Sequence, residues 1–208
     1  MEDALTTRRR FISASALLLG GAAAHTLVPT AEAQDGRVAQ DIAVLNYALT
    51  LERLEADFYV RGLQRLGAGD FGGIGVSGLF DRLRDIRDHE VAHVATIESV
   101  VQSLGGAPVT GGEFQFPYND ARSCLRVAQI LENTGVSAYD GAVALLRIPQ
   151  LQTASATIAT VEARHAAYLN FVNGDNPFPA ATDTPRSPGD IVAAIGPFVR
   201  VAPAAARR

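Results

Sequence analysis

Between residues 79 and 104, apolar side chains recur at alternating spacings of four and three: Leu79, Leu83, Ile86, then Ile97, Val100 with Val101, and Leu104. Such spacing keeps one face of an α-helix apolar. Two residues interrupt the series without leaving that face, Glu90 and His93. The pattern thus predicts a long amphipathic helix with a carboxylate and an imidazole in successive core positions. Burying an unpaired carboxylate costs several kcal/mol, a large part of the roughly 5–15 kcal/mol by which a domain is stable. A metal ion is the compensation that this pair of side chains points to.

The same periodicity predicts three more long helices, at about 36–66, 120–147 and 150–172. Gly-rich residues 67–75 end the first, and Ser77 is the expected N-cap of the second, which Gly105-Gly106 stops. Asp120 is placed to cap the third, Pro149 marks the break after it, and Asn173-Gly174 ends the fourth. No stretch alternates with period two, so no sheet is expected. Short links make helices one and two, and three and four, antiparallel neighbours. About fifteen residues, 105–119, join the two hairpins. Extended, they reach roughly 50 Å, enough to run along a helix of roughly 42 Å. The expected fold is all-α: a four-helix bundle over 34–174, two antiparallel hairpins joined by a long crossover. Residues 175–208 form a Pro-rich extension with Asn176-Pro177-Phe178-Pro179 and a short helix at 188–195. Its first half is expected to pack along the bundle and its last residues to be loose.

The two hairpins repeat one another. A shift of 72 residues superposes Ile86 on Ile158, Glu90 on Glu162, His93 on His165 and Val100 on Val172. A shift of 80 places Leu45 on Leu125, Leu51 on Leu131, Glu52 on Glu132, Tyr59 on Tyr139 and Leu66 on Leu146. Each half therefore supplies one Glu from one helix and Glu-x-x-His from the other. Glu and His three apart share a helix face and can reach one ion. The candidate metal ligands are Glu52, Glu90, His93, Glu132, Glu162 and His165. After residue 33 the chain holds only three His, and two of them carry a Glu at the third position before them. Chance gives that less than about one time in a hundred. Four carboxylates balance two divalent ions. A set rich in carboxylate and imidazole, without sulfur, suits two Fe or Mn ions better than Cu(I), and a closed Zn site uses fewer ligands.

Composition narrows the partners. All 18 basic residues are Arg, and the net charge of −4 argues against a nucleic-acid partner. Cys124 is the one cysteine, so no intrachain disulfide or Cys-based metal site forms; it reads as a small buried apolar residue. At the N-terminus, Thr7-Arg8-Arg9-Arg10-Phe11-Ile12 precedes an apolar run to about Ala24 and a small-x-small site, Ala31-Glu32-Ala33. This resembles a twin-arginine export signal over 1–33, cleaved after Ala33. The run is shorter than the roughly 20 residues a membrane span needs. The expectation is export to the periplasm through the twin-arginine machinery, with no stable membrane insertion after cleavage.

Residues 45–59 (LNYALTLERLEADFY), 88–93 (DHEVAH) and 161–167 (VEARHAA) resemble the ferritin-like superfamily, and within it exported bacterial proteins related to plant desiccation-associated proteins. The resemblance implies a ferritin-like bundle whose paired Glu-x-x-His motifs hold two metals. It implies reaction with dioxygen or peroxide in stress protection, whether Fe(II) oxidation or peroxide removal, and is compatible with a homo-oligomer. A Tyr seven residues after the first-helix ligand is common there; Tyr59 stands so to Glu52, which favours Glu52 over Glu55. Glu55 also fits the stripe, while Gly135 is its counterpart in the third helix. It is an extra or alternative ligand, or an ion-pair partner of an Arg. Tyr59 and Tyr139 either hydrogen-bond the ligands, serve as redox-active phenols, or are core tyrosines with satisfied hydroxyls. His89 points about 100° from Glu90 on an ideal helix, beside the site or on the surface. Asp85 and Asp140 read as solvated groups or as hydrogen-bond partners of ligands. The rival functions are a non-catalytic desiccation-related scaffold with little or no metal, and iron storage in a shell.

Overall fold

A computed structural model describes residues 31–200, with side chains from Asp35 onward. The expected export signal lies outside the described residues except for its last three, which begin a helix. The chain divides into Met1–Gly36 and Arg37–Arg208, and the packing below is that of the second unit. The helices are α1 (Ala31–Arg65), α2 (Ala68–Phe71), α3 (Leu79–Ser103), α4 (Ala121–Val143), α5 (Pro149–Asn173) and α6 (Pro188–Ile195), with 3-10 turns at Gly72–Ile74 and Gly196–Phe198. Among the described residues there is no strand, only an isolated antiparallel bridge between Phe114 and Val199. No helix described is long and apolar enough to cross a membrane.

Side-chain contacts give the topology. Gln40 reaches the Leu145 carbonyl and Tyr59 reaches Glu132, so α1 and α4 run antiparallel. Arg53 pairs with Glu98 and His93 meets Glu52, so α1 and α3 are antiparallel too. Asn173 donates to the Leu125 carbonyl while His165 meets Glu132, which sets α5 against α4. Both α3 and α4 thus oppose α1. They are parallel to each other, and residues 104–120 must run the length of the bundle to join them. Asn46 on α1 holds this crossover, accepting from Val109 N at 2.7 Å and donating to the Ala107 carbonyl at 3.0 Å.

Helix ends follow local chemistry, with two departures from expectation. α3 starts at Gly78, in the left-handed region at φ 70, with no side-chain cap; Ser77 does not cap it. Glycine reaches that conformation without the Cβ penalty. Asp120 does cap α4, accepting from Ser123 N while Ser123 Oγ accepts from Asp120 N. α4 stops at Val143 rather than near 147. The cause is Asp41, fully buried on α1, whose carboxylate accepts from Arg147 N and Ile148 N at 2.7 and 2.8 Å. It draws the chain out of α4 and satisfies amides that precede α5, which Pro149 opens.

Two apolar clusters fill the bundle. One holds Leu54, Phe58, Leu66, Leu79, Leu83, Ile86, Leu125, Leu131 and Leu169. The other holds Leu45, Leu49, Ile97, Val101 and Tyr139. Along α1, α3 and α5 the ionisable residues fall between them in sequence, so the polar layer lies between two apolar ones. In the extension the short helix lies where expected, at Pro188–Ile195, and the last residues, expected to be loose, lie outside the described ones, but the packing departs from expectation. Residues 178–185 are exposed, whereas Ile191, Ile195 and Phe198 are buried in the larger cluster. Arg186 N donates to the Ser137 carbonyl, and a Cβ on Gly141 would collide with the Arg186 carbonyl. The bare α4 backbone at Gly141 therefore lets the strap lie close.

Candidate metal centre

The polar layer is built by the four long helices. Glu52 comes from α1, Glu90 and His93 from α3, Glu132 from α4, and Glu162 and His165 from α5. The four carboxylates are fully buried, and His93 and His165 are 9% and 5% exposed. They form two groups, Glu52–Glu90–His93–Glu162 and Glu90–Glu132–Glu162–His165, each with ligand atoms within 4.8 Å of one another. Glu90 and Glu162 belong to both. Either group could hold a metal ion.

Hydrogen bonds alone do not account for this packing. His93 Nδ1 lies 3.2 Å from Glu52 Oε2, 3.2 Å from Glu90 Oε2 and 3.1 Å from Glu162 Oε1. One ring nitrogen carries at most one proton, so it cannot serve three acceptors. His165 Nδ1 likewise faces Glu90 Oε1 at 3.0 Å and Glu132 Oε2 at 3.2 Å. Among the described residues, both Glu162 oxygens and Glu90 Oε1 are buried without a formed hydrogen bond, although Glu162 Oε1 and Glu90 Oε1 face His93 Nδ1 and His165 Nδ1. Such orphaned acceptors are costly in a low-dielectric interior. Atoms held roughly 2.1 Å from one ion at right angles stand about 3 Å apart, the spacing seen here. The donor set fits a metal.

Without ions the layer is electrostatically frustrated. Burial raises Glu52 to about 7, and raises Glu132 and Glu162, with the neighbouring Glu90 adding repulsion to both. Burial alone would raise Glu90 too, but the imidazoles of His165 and His93 that face it outweigh burial and bring Glu90 to about 2. Burial opposes charge on the imidazoles, yet their carboxylate partners win, raising His93 strongly and His165 to about 10.

The tyrosines cross between halves. Tyr59 on α1 donates to Glu132 on α4 at 2.6 Å, and Tyr139 on α4 donates to Glu52 on α1. Burial, then the adjacent carboxylate, holds both phenols well above their ordinary pKa, so both stay donors. Glu55 is 3% exposed, lies outside both four-residue groups, and makes no ion pair with an Arg among the described residues. Arg53 and Arg61 are instead paired with Glu98 and Asp57. His89 is exposed, yet its Nδ1 lies 2.9 Å from His165 Nε2 with the rings stacked. The 100° offset from Glu90 points it at α5 rather than away from the bundle. Asp85 is an exposed partner of Arg82, and Asp140 is raised by burial and by Asp183, away from the layer. Cys124 is buried, which pushes its thiol up to about 12. Sequence reasoning passed over Asp41; an Asp on an apolar helix face was the only signal for it.

A family model described as a ferritin-like domain matches residues 40–175, about two thirds of the chain. No curated protein matches it.

Proposed function

The chain belongs to the ferritin-like domain family, and on that premise we propose that it holds two Fe or Mn ions and uses them in stress protection, oxidising Fe(II) or removing peroxide. The observation that carries this reading is the convergence of three carboxylates on the single proton site of His93 Nδ1, which leaves neither Glu162 oxygen with a hydrogen bond among the described residues. Glu52 and His93 would hold one ion, Glu132 and His165 the other, and Glu90 and Glu162, common to both groups, would be shared. When bound, such ions supply one-electron chemistry toward dioxygen or peroxide. The protein's part is to hold and insulate. Tyr139 and Tyr59 fix the outer carboxylates Glu52 and Glu132 by hydrogen bonds. His89 fixes the His165 ring through Nε2, leaving Nδ1 to face the carboxylates. The apolar clusters on either side keep bulk water out. Ligands must shed protons to bind metal, and burial works against the charged form of Glu52, Glu132 and Glu162. The paired arginines of residues 7–12 support export in folded form to the periplasm, with the centre loaded beforehand.

Elemental analysis of protein exported from its own host should give close to two ions per chain. Incubation with Fe(II) and then peroxide should show turnover above free metal. Two ions without turnover favour a binding scaffold; no ions, with Glu162→Ala leaving stability unchanged, removes the centre.

A further inference from the structure

The repeat between hairpins fails at one buried pair. Glu55 on α1 corresponds to Gly135 on α4, and the two are neighbours in space. A Cβ on Gly135 would lie 3.0 Å from Glu55 Oε1 and 3.1 Å from Glu162 Oε2. A side chain at 135 would thus crowd the Glu55 and Glu162 carboxylates, which would have to give way by a few tenths of an ångström. Glu55 is 97% withdrawn from solvent (3% exposed), and its Oε2 has no hydrogen-bond partner. Among the described residues, neither an arginine nor a backbone amide explains why a carboxylate is held there. The position has room for one carboxylate, because Gly135 contributes nothing.

We propose that Glu55, admitted by the missing side chain of Gly135, is a fifth carboxylate ligand beside Glu162 that biases the centre toward ions of charge +3. The inference rests on the two-ion reading of the preceding section. Four carboxylates neutralise two divalent ions. A fifth matches one further positive charge, so it stabilises the oxidised pair relative to the reduced one. It acts with Glu52 rather than instead of it, since Glu52 already meets His93 and Tyr139.

The test is a potentiometric titration of the full Fe-loaded chain, wild type against Glu55→Gln, with iron content measured on the same samples. Gln keeps the shape and removes the charge. Two ions should remain, and the ratio of Fe(III) to Fe(II) affinity should fall on the order of tenfold, which is about +59 mV for a one-electron couple. Gly135→Ala, whose methyl crowds Glu55, should shift the potential in the same direction and carries the test if Glu55→Gln does not fold. An unchanged potential with two ions bound overturns the proposal and leaves the two-ion centre standing. Loss of an ion from Glu55→Gln also overturns it, because Glu55 would then be an indispensable holder rather than a fifth ligand. A wild-type chain that takes up no iron removes the centre itself, and the proposal with it.

Discussion

The α1–α3 hairpin and the α4–α5 hairpin present the same ligand types to one layer, and the comparison separates what the repeat preserves from what it abandons. Six candidate ligands and two tyrosines match, and the tyrosines are exchanged, each holding the single Glu of the other half. The halves part at Glu55 against Gly135, and at His89, whose counterpart at a shift of 72 is Val161. The matched positions define a centre with approximate two-fold symmetry. The unmatched ones make its halves unequal, with an extra carboxylate beside Glu162 and an exposed imidazole on His165 alone.

The largest effect should come from testing whether the shared carboxylates differ from the unshared ones. Glu90 and Glu162 belong to both ligand groups, Glu52 and Glu132 to one each. Glu162→Ala should abolish binding of both ions, whereas Glu52→Ala and Glu132→Ala should each leave about one ion per chain, as read by elemental analysis. If Glu162→Ala retains one ion, the two groups are independent sites and the sharing is wrong.

Much of this was legible in the sequence because helical period and ligand spacing are local. The stripe placed Glu90 and His93 on the buried face, the 72- and 80-residue shifts found their partners, and the length of 105–119 required a crossover. The parts that were not legible depend on which helix lies opposite. Nothing local says that Asp41 will meet Arg147 N and Ile148 N, more than a hundred residues away, and so α4 was expected to run too far. Glu55 could have been an arginine's partner; only the contact with Gly135 places it in the layer. Ser77 has a capping side chain, but the left-handed Gly78 takes the N-cap position.

The links within the two hairpins offer the next contrast. Asp41 holds the α4–α5 link by two partly buried hydrogen bonds, while the α1–α3 link is the Gly-rich segment with α2. Asp41→Ala would strand two amides, each worth roughly 1–3 kcal/mol when left unsatisfied in the interior. A loss of about 2–6 kcal/mol is expected in urea unfolding of the metal-free protein. A loss below about 1 kcal/mol would mean that water replaces the carboxylate and the link is not held from α1.

The exchanged tyrosines should be closer to equal. Tyr59→Phe and Tyr139→Phe each remove one donor from a buried carboxylate, at about 1–3 kcal/mol, again by urea unfolding without metal. Two similar losses sharpen the two-fold reading. If only Tyr139→Phe is costly, Glu52 depends on its tyrosine more than Glu132 does, and the halves are less alike than their geometry.

Helix starts give the smallest effect, and its sign can be worked out. Asp120 caps α4, and its hydrogen bonds with Ser123 hold its carboxyl below the ordinary value of 3.8. A depressed folded-state pKa contributes stability that is present above the unfolded value and lost as pH falls through the folded one. The stability advantage of wild type over Asp120→Ala should therefore be constant above about pH 5 and shrink below 3.8. Ser77, which caps nothing, should give no such difference: Ser77→Ala should match wild type at every pH. Thermal unfolding from pH 3 to pH 7 reads both. An advantage over Asp120→Ala that grows on acidification would assign the stabilisation to something other than the ionised cap.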